Sequence, residues 1–269
     1  MKFLKISLIF IIIAITSVLG YGYCMYNKVK ALKDPSYSID ITVYDWKKKP
    51  YLFTVGPKNP AYTPWHRINP YVKWAVILSE DARFYSHKGV DYDALKGALK
   101  KNLEVGRYVQ GGSTITQQLA KNLFLSREKS IIRKIKEIII AFLLERVLSK
   151  TRILELYLNA VEFGPLVYGI NNASQYYFGK HPSALNPLEA SILASLLPSP
   201  RIFNPLRNVE RTEMRAKRVL KRMKQTGIIS TEEFELYERS NLALSVEKKI
   251  EVRTDVETNV FQSISSKTP

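Results

Sequence analysis

From Ile6 to Tyr26 the chain carries no charged residue, and this run constrains the fold before any other feature. As a helix it can cross the roughly 30 Å of hydrocarbon in a bilayer, and a lone segment in lipid has no other way to satisfy its backbone. Tyr21, Tyr23 and Tyr26 fall where amphipathic rings favour the far interface. A cleaved signal peptide ending at Val18-Leu19-Gly20 is the competing reading. The length of the run favours an uncleaved anchor over residues 1–30, and Tyr23 before Cys24 argues against a lipoprotein box. Lys28, Lys30 and Lys33 offset Lys2 and Lys5, so charge says little about orientation. Either reading carries the bulk of the chain across a membrane.

That placement decides how the charge is read. Lys and Arg outnumber Asp and Glu by 41 to 24, a formal net charge of +17. Such a balance suits nucleic acid, an acidic membrane surface or a phosphorylated substrate, and a chain carried across a membrane is not expected to meet nucleic acid. With one cysteine, Cys24, there is no internal disulfide. His66, His87 and His181 are isolated in the sequence, so no zinc site is expected. No dinucleotide or P-loop signature points to an organic cofactor.

Two features share the stretch Val76 to Asn122. Asn69 to Leu78 reads as a helix with Pro70 in its first turn. Apart from Lys73 it is apolar nearly all round, so it is expected to be buried. Glu80 and Asp81 leave the C-terminal end of that helix. Desolvation and the negative end of the helix dipole would both raise the pKa of Glu80 towards a general base's range. The plainer reading is that the two carboxylates only solvate a helix end. Further on, Gly111-Gly112 makes a turn, and Thr114-Ile115-Thr116-Gln117 fits a capping box. On the helix that follows, Thr114, Gln117, Gln118 and Lys121 share one face, opposite Ile115, Leu119 and Leu123. Free N–H groups at its start, with one cation among amides and hydroxyls, would suit an anionic, hydroxyl-rich ligand. A well-capped amphipathic helix explains the same pattern.

A third stretch, Ser130 to Ser149, is apolar enough to be buried or to touch lipid. Lys134, Glu137, Ala141 and Glu145 form one narrow stripe on it with Arg133 alongside, and Ile131, Ile135, Ile138, Ile139, Phe142 and Leu143 take much of the rest. A charged stripe of this kind must be paired or must face a wet cavity. Local pairing of Arg133 and Lys134 with Glu137 has the right spacing.

The remaining segments read as scaffold. Residues 31–64 form a stem with two short alternating strands, Ser38 to Tyr44 and Tyr51 to Val55, around a basic turn. Tyr92 to Val105 is helical, and Gly106 to Gly112 is a loop. Lys150 to Asn159 is an amphipathic helix with a polar end, and Lys150 reads as an exposed charge outside the constellation. Asn186 starts a buried helix. Arg211 to Lys224 is a basic helix with Met214, Val219, Leu220 and Met223 on its apolar side. Residues 231–269 hold a last capped helix and a weakly ordered tail.

The strings EDxxFxxHxG from Glu80 and GGSTITQQxxKN from Gly111 resemble two signature motifs of the peptidoglycan glycosyltransferases, the lysozyme-like enzymes that polymerise lipid II. Three more motifs follow in the family's order: RKxxExxxAxxLE from Arg133, KxxILExYLN from Lys150, and GxxxxGxxxAxxxYFG from Gly164. The resemblance covers roughly Trp65 to Lys224. It implies a mainly α fold: a lysozyme-like helical head and a smaller membrane-associated lobe, placed here at residues 65–230 and preceded by one N-terminal transmembrane helix. It implies Glu80 and Glu137 as catalytic residues, and a substrate-binding set of Asp81, Phe84, His87, Ser113, Thr114, Gln117, Gln118, Lys121, Asn122, Arg133 and Lys134. Ala141 would keep the stripe low enough for substrate to lie along it. A divalent cation, Mg or Mn, is an optional cofactor with Glu137 as its ligand.

The partners implied are lipid II, the growing lipid-linked glycan strand, the membrane, and transpeptidases and other cell-wall synthesis proteins. The implied location is the bacterial cytoplasmic membrane, single-pass, with the catalytic domain on the extracytoplasmic side. Family members also occur fused to a penicillin-binding transpeptidase domain, which a chain of this length is too short to hold, so a monofunctional polymerase is expected. Two other readings share parts of the pattern. A lytic transglycosylase or muramidase uses a single Glu but has no use for the cation set. A non-catalytic scaffold has no use for Glu80 and Glu137.

Overall fold

The computed structural model describes residues 16, 19–45, 47–107, 111–126, 128, 130–197 and 208–240. Most of the expected anchor, part of the glycine loop, the prolines after residue 197 and the C-terminal tail lie outside these residues. Among the described residues no helix is long and apolar enough to cross a membrane.

The protein is mainly helical. Helix α1, residues 19–31, buries Met25 and Val29 on the domain, followed by Leu32 just past its end. Strands β1 (Ile39–Tyr44) and β2 (Pro50–Val55) then pair antiparallel, from Ile39 opposite Val55 to Tyr44 opposite Pro50. Helix α2 (Pro70–Glu80) begins where the Asn69 side chain accepts from the Tyr71 N–H and Pro70 takes the first helical position. It runs two residues past Leu78, to Glu80, and buries Val72, Ala75, Val76, Ile77 and Leu78. Helices α8 (Pro187–Leu196) and α9 (Val209–Gln225) pack against it, and α10 (Thr231–Glu238) packs on α9. Each fully buried aliphatic side chain in this core contributes about 1.5–3 kcal/mol.

On α9 the buried face is Thr212, Ala216, Val219, Leu220 and Met223. Met214, expected among them, is half exposed because it falls a third of a turn outside that face.

The second half of the domain is built on α4 (Ile115–Phe124), α5 (Ile131–Val147) and α6 (Lys150–Ala160). Helix α3 (Tyr92–Val105) buries only Ala98 and leaves Leu95, Leu99 and Leu103 exposed. Helix α5 is turned the same way. Its buried residues are Glu137, Ile140, Ala141 and Leu144, while Ile131, Ile132, Ile135, Ile139 and Phe142 face outward. A short hairpin, β3 (Glu162–Gly164) and β4 (Val167–Tyr168), leads into α7 (Ile170–Phe178). At Gly169, φ is +81° and an added Cβ would lie 3.0 Å from the Asn159 carbonyl oxygen, so a side chain is excluded there on both counts.

The polar end of α6 holds the stem and α1. The guanidinium of Arg152 donates to the Leu32 carbonyl (3.0 Å), the Asp34 carbonyl (3.4 Å) and the Tyr62 hydroxyl (2.8 Å). Tyr62 donates in turn to Glu155 (2.6 Å), and Asn159 exchanges hydrogen bonds with the backbone of Thr63. Arginine at the carbonyl end of a helix is also favoured by the helix dipole.

Candidate active site

The site is organised around the point where α2 ends and α4 begins. Glu80 is the last residue of α2, partly exposed at the rim and closely packed elsewhere. Burial pushes its carboxyl above the ordinary glutamate range; a hydrogen bond from Gln118 and the charges of Arg215 and Lys121 pull the other way. The Gln118 Nε2 donates to Glu80 Oε2 at 2.8 Å, and the Tyr157 hydroxyl donates to Gln118 Oε1 at 3.0 Å. Asp81, the next residue, turns the other way. Its Oδ2 accepts from the Ile115 N–H at 3.0 Å, and both its oxygens face His87 Nε2 at 2.9 and 3.0 Å.

Two of the N–H groups expected to be free at the start of α4 are therefore taken within the protein. Ile115 donates to Asp81, and Gln117 donates to the Thr114 hydroxyl. Thr114 donates to the Gly89 carbonyl at 2.6 Å, and the Gln117 side chain accepts from the Thr114 N–H. The capping box is present as read from the sequence, and its two members are buried by it.

This separates the expected substrate-binding residues into two groups. Asp81, Thr114 and Gln117 are buried, Phe84 is fully enclosed, and the His87 side chain is 8% exposed. Asp81 bonds His87 and Thr114 bonds Gln117, with the Ile115 N–H and the Gly89 carbonyl as further partners, while His87 Nδ1 is buried without a partner. Ser113, Gln118, Lys121, Asn122, Arg133 and Lys134 keep exposed surface. Gly89, with φ +90°, lies against the backbone of Ala141. Ala141 is thus occupied by the Glu80–Gly89 loop and is itself fully buried, so it cannot serve as a floor for substrate.

Glu137 is buried between two cations. Its Oε2 accepts from Arg133 Nη1 at 2.7 Å, and its Oε1 accepts from Lys134 Nζ, which also reaches Ser113 Oγ at 3.0 Å. A divalent ion does not fit here, because both carboxylate oxygens are committed to positive groups and, among the described residues, no second carboxylate joins them. The other cluster with ligand-like spacing is Asp81, His87 and Asp91. There Arg83 grips Asp91 and holds its carboxyl down at about 2, and the Ala94 N–H takes a further bond. Asp91 is thus committed to Arg83 and the Ala94 N–H, and Asp81 to His87 and the Ile115 N–H, so no step is derived through a metal.

Two residues gain roles that the sequence reading did not assign. Lys150 is not an exposed charge. It pairs with the buried Glu145 at 2.7 Å and lies 4.4 Å from the Phe84 ring centroid, while Glu145 also accepts from Thr116 at 2.6 Å. Removing Lys150 would strand a buried carboxylate, a change of the kind that costs about 3–5 kcal/mol. Arg215 of α9 donates to the Ser195 carbonyl at 3.1 Å and stands close enough to Glu80 for their charges to couple. A basic amphipathic helix reads as a solvated face; the burial of Arg215 beside a carboxylate 135 positions earlier has no sequence signature.

A family model described as Transglycosylase matches residues 49–224. A biosynthetic peptidoglycan transglycosylase of Nitrosospira multiformis is 44% identical over 175 residues, covering 65% of this chain and 76% of that protein. The protein of the same name from Nitrosomonas eutropha is 46% identical over 178 residues, with 64% and 73% covered. Penicillin-binding protein 1A of Aquifex aeolicus is 41% identical over 255 residues, or 93% of this chain. The chain spans 34% of that longer relative.

Proposed function

The chain belongs to the transglycosylase family, and on that premise we propose that its cleft polymerises lipid II with Glu80 as general base. It is a peptidoglycan glycosyltransferase and makes the glycan strands of peptidoglycan. The observation that supports the mechanism is Glu80 itself. It is a partly exposed carboxylate whose pKa is raised by burial, held by Gln118 and close enough to Lys121 to feel its charge.

Glu80 takes the proton from the 4-hydroxyl of the acceptor sugar. That oxygen attacks the anomeric carbon of the lipid-linked donor with inversion, forming the β-1,4 bond as the bond to the polyprenyl pyrophosphate breaks. The leaving group departs as an anion, so it needs positive charge more than a strong acid. Lys121, Arg133 and Lys134 supply that charge, and Glu137 fixes the last two in place. Ser113, Gln118 and Asn122 contact sugar and phosphate. Purified protein incubated with labelled lipid II is expected to give long polymer that a muramidase digests back to small fragments. Digestion of preformed peptidoglycan without use of lipid II would overturn the proposal in favour of a lytic enzyme.

The exposed apolar residues of α3 and α5 support a smaller, membrane-facing lobe beside a lysozyme-like head. They fit an enzyme whose substrate is itself held by a lipid tail. The run from Ile6 to Tyr26 supports a single-pass anchor with the head outside the cytoplasmic membrane. In that case the protein in its native membrane retains Met1 or Lys2 and stays in the pellet after a carbonate wash. An N-terminus at Tyr21 would mark the segment as a cleaved signal instead.

A further inference from the structure

We infer that Tyr157 is a positioning residue for the reaction: through the Gln118 amide it fixes the hydrogen bond that holds Glu80 as an ionised base. This rests on the reading of Glu80 given above. The geometry is a chain of three side chains from three helices, with 3.0 Å from the Tyr157 hydroxyl to Gln118 Oε1 and 2.8 Å from Gln118 Nε2 to Glu80 Oε2. Tyr157 is fully buried.

The direction of the chain follows from donor and acceptor chemistry. An ionised Glu80 can only accept, so the Gln118 NH₂ must face it, and the Gln118 carbonyl must then face Tyr157. The phenol must donate. Burial, followed by the nearby charges of Glu80 and Asp81, pushes the Tyr157 hydroxyl far above the ordinary phenol range, so it stays protonated and can only donate in this way. A Gln118 amide turned by half a rotation would present its carbonyl to Glu80, which favours the protonated acid. It would also point NH₂ at a hydroxyl that is no longer satisfied as a donor. Tyr157 therefore opposes the flip that would disable the base. The other charged or titratable groups facing Glu80 are Asp81 at the end of α2, Lys121 on α4 and Arg215 on α9.

The test reads the Glu80 carboxyl directly. Glutamate labelled with carbon-13 at its carboxyl gives a resonance for Glu80, identified by its loss in Glu80→Gln. In Tyr157→Phe this resonance is expected to titrate at higher pH. The polymerisation rate should fall about three- to tenfold on the acid side of the profile, the size of one net hydrogen bond, with KM for lipid II unchanged and the rate recovering at higher pH. Replacing only Tyr157 by 3-fluorotyrosine, a stronger donor of nearly the same shape, should move the titration to lower pH. Gln118→Met should raise it as well, and adding Tyr157→Phe to Gln118→Met should raise it no further.

A Glu80 titration unmoved by either change at Tyr157 would overturn the inference, as would a Tyr157→Phe shift that persists in the Gln118→Met background. The fluorinated residue keeps the test open if Tyr157→Phe does not fold. Failure of the base assignment is distinct, because it would appear as activity in Glu80→Gln, whereas the titration depends only on the bonds around the carboxyl.

Discussion

Glu80→Gln is expected to be folded, close to inactive, and more heat-stable than the parent at neutral pH. General-base loss commonly costs about 10²–10⁴-fold in rate, and the amide keeps the volume and can still accept from Gln118 through its own carbonyl. The stability gain follows from burial, which raises the Glu80 pKa. The folded protein binds that proton more tightly than the unfolded chain. The carboxyl's favourable contribution is therefore complete below the ordinary glutamate range and is lost as the pH rises through the raised value. Glutamine has no such loss, so the difference in Tm between variant and parent should widen from acid to neutral pH. Near-normal turnover by a folded Glu80→Gln would remove Glu80 from the mechanism. A variant less stable than the parent at neutral pH would contradict the proposed cost of its charge.

Lys121→Met and Lys134→Met should each lower the maximal rate by roughly 10²–10³-fold at saturating lipid II. That is the loss commonly seen when one preorganised group is removed from a developing negative charge. The arrangement around Glu137 lets rate and stability be separated for Lys134. Arg133 holds the other oxygen of Glu137 at 2.7 Å and its side chain is 19% exposed, while that of Lys134 is 40% exposed. Without Lys134 the buried carboxylate still has a cation, so the Tm of Lys134→Met should stay within a few degrees of the parent. The opposing view treats Lys134 as a structural partner of Glu137. It requires a lower Tm with the rate per folded molecule nearly unchanged, and an active, heat-labile Lys134→Met would end the catalytic role of this residue.

What could be read from the sequence and what could not divides by the reach of the contacts. The capping box at Thr114, the capped starts of α8 at Asn186 and α10 at Ser230, and the span of α3 depend on bonds within about four residues. Local pattern is enough for these. The orientation of α5 is another matter. A helical wheel sorts its residues into a charged stripe and an apolar majority, but says nothing about which side meets protein. The charged stripe lies inside because its acids are answered there: Glu137 by Arg133 and Lys134, and Glu145 by Lys150 and Thr116. The burial of the Asp81, Phe84 and His87 side chains was hidden for the same reason. Residues that support a motif and residues that touch its ligand look alike in a string, and only burial separates them.

The outward-facing isoleucines of α5 and leucines of α3 carry a practical consequence for the protein once it is out of lipid. In plain buffer these two stripes meet water, and the cheapest relief is a micelle or another molecule bearing the same stripes. Particle size in detergent-free solution is then a property of the solvent. Stoichiometries obtained that way describe the preparation, and if the proposed membrane-facing lobe holds the lipid tails of the substrate, the detergent becomes a reagent that competes for the same surface.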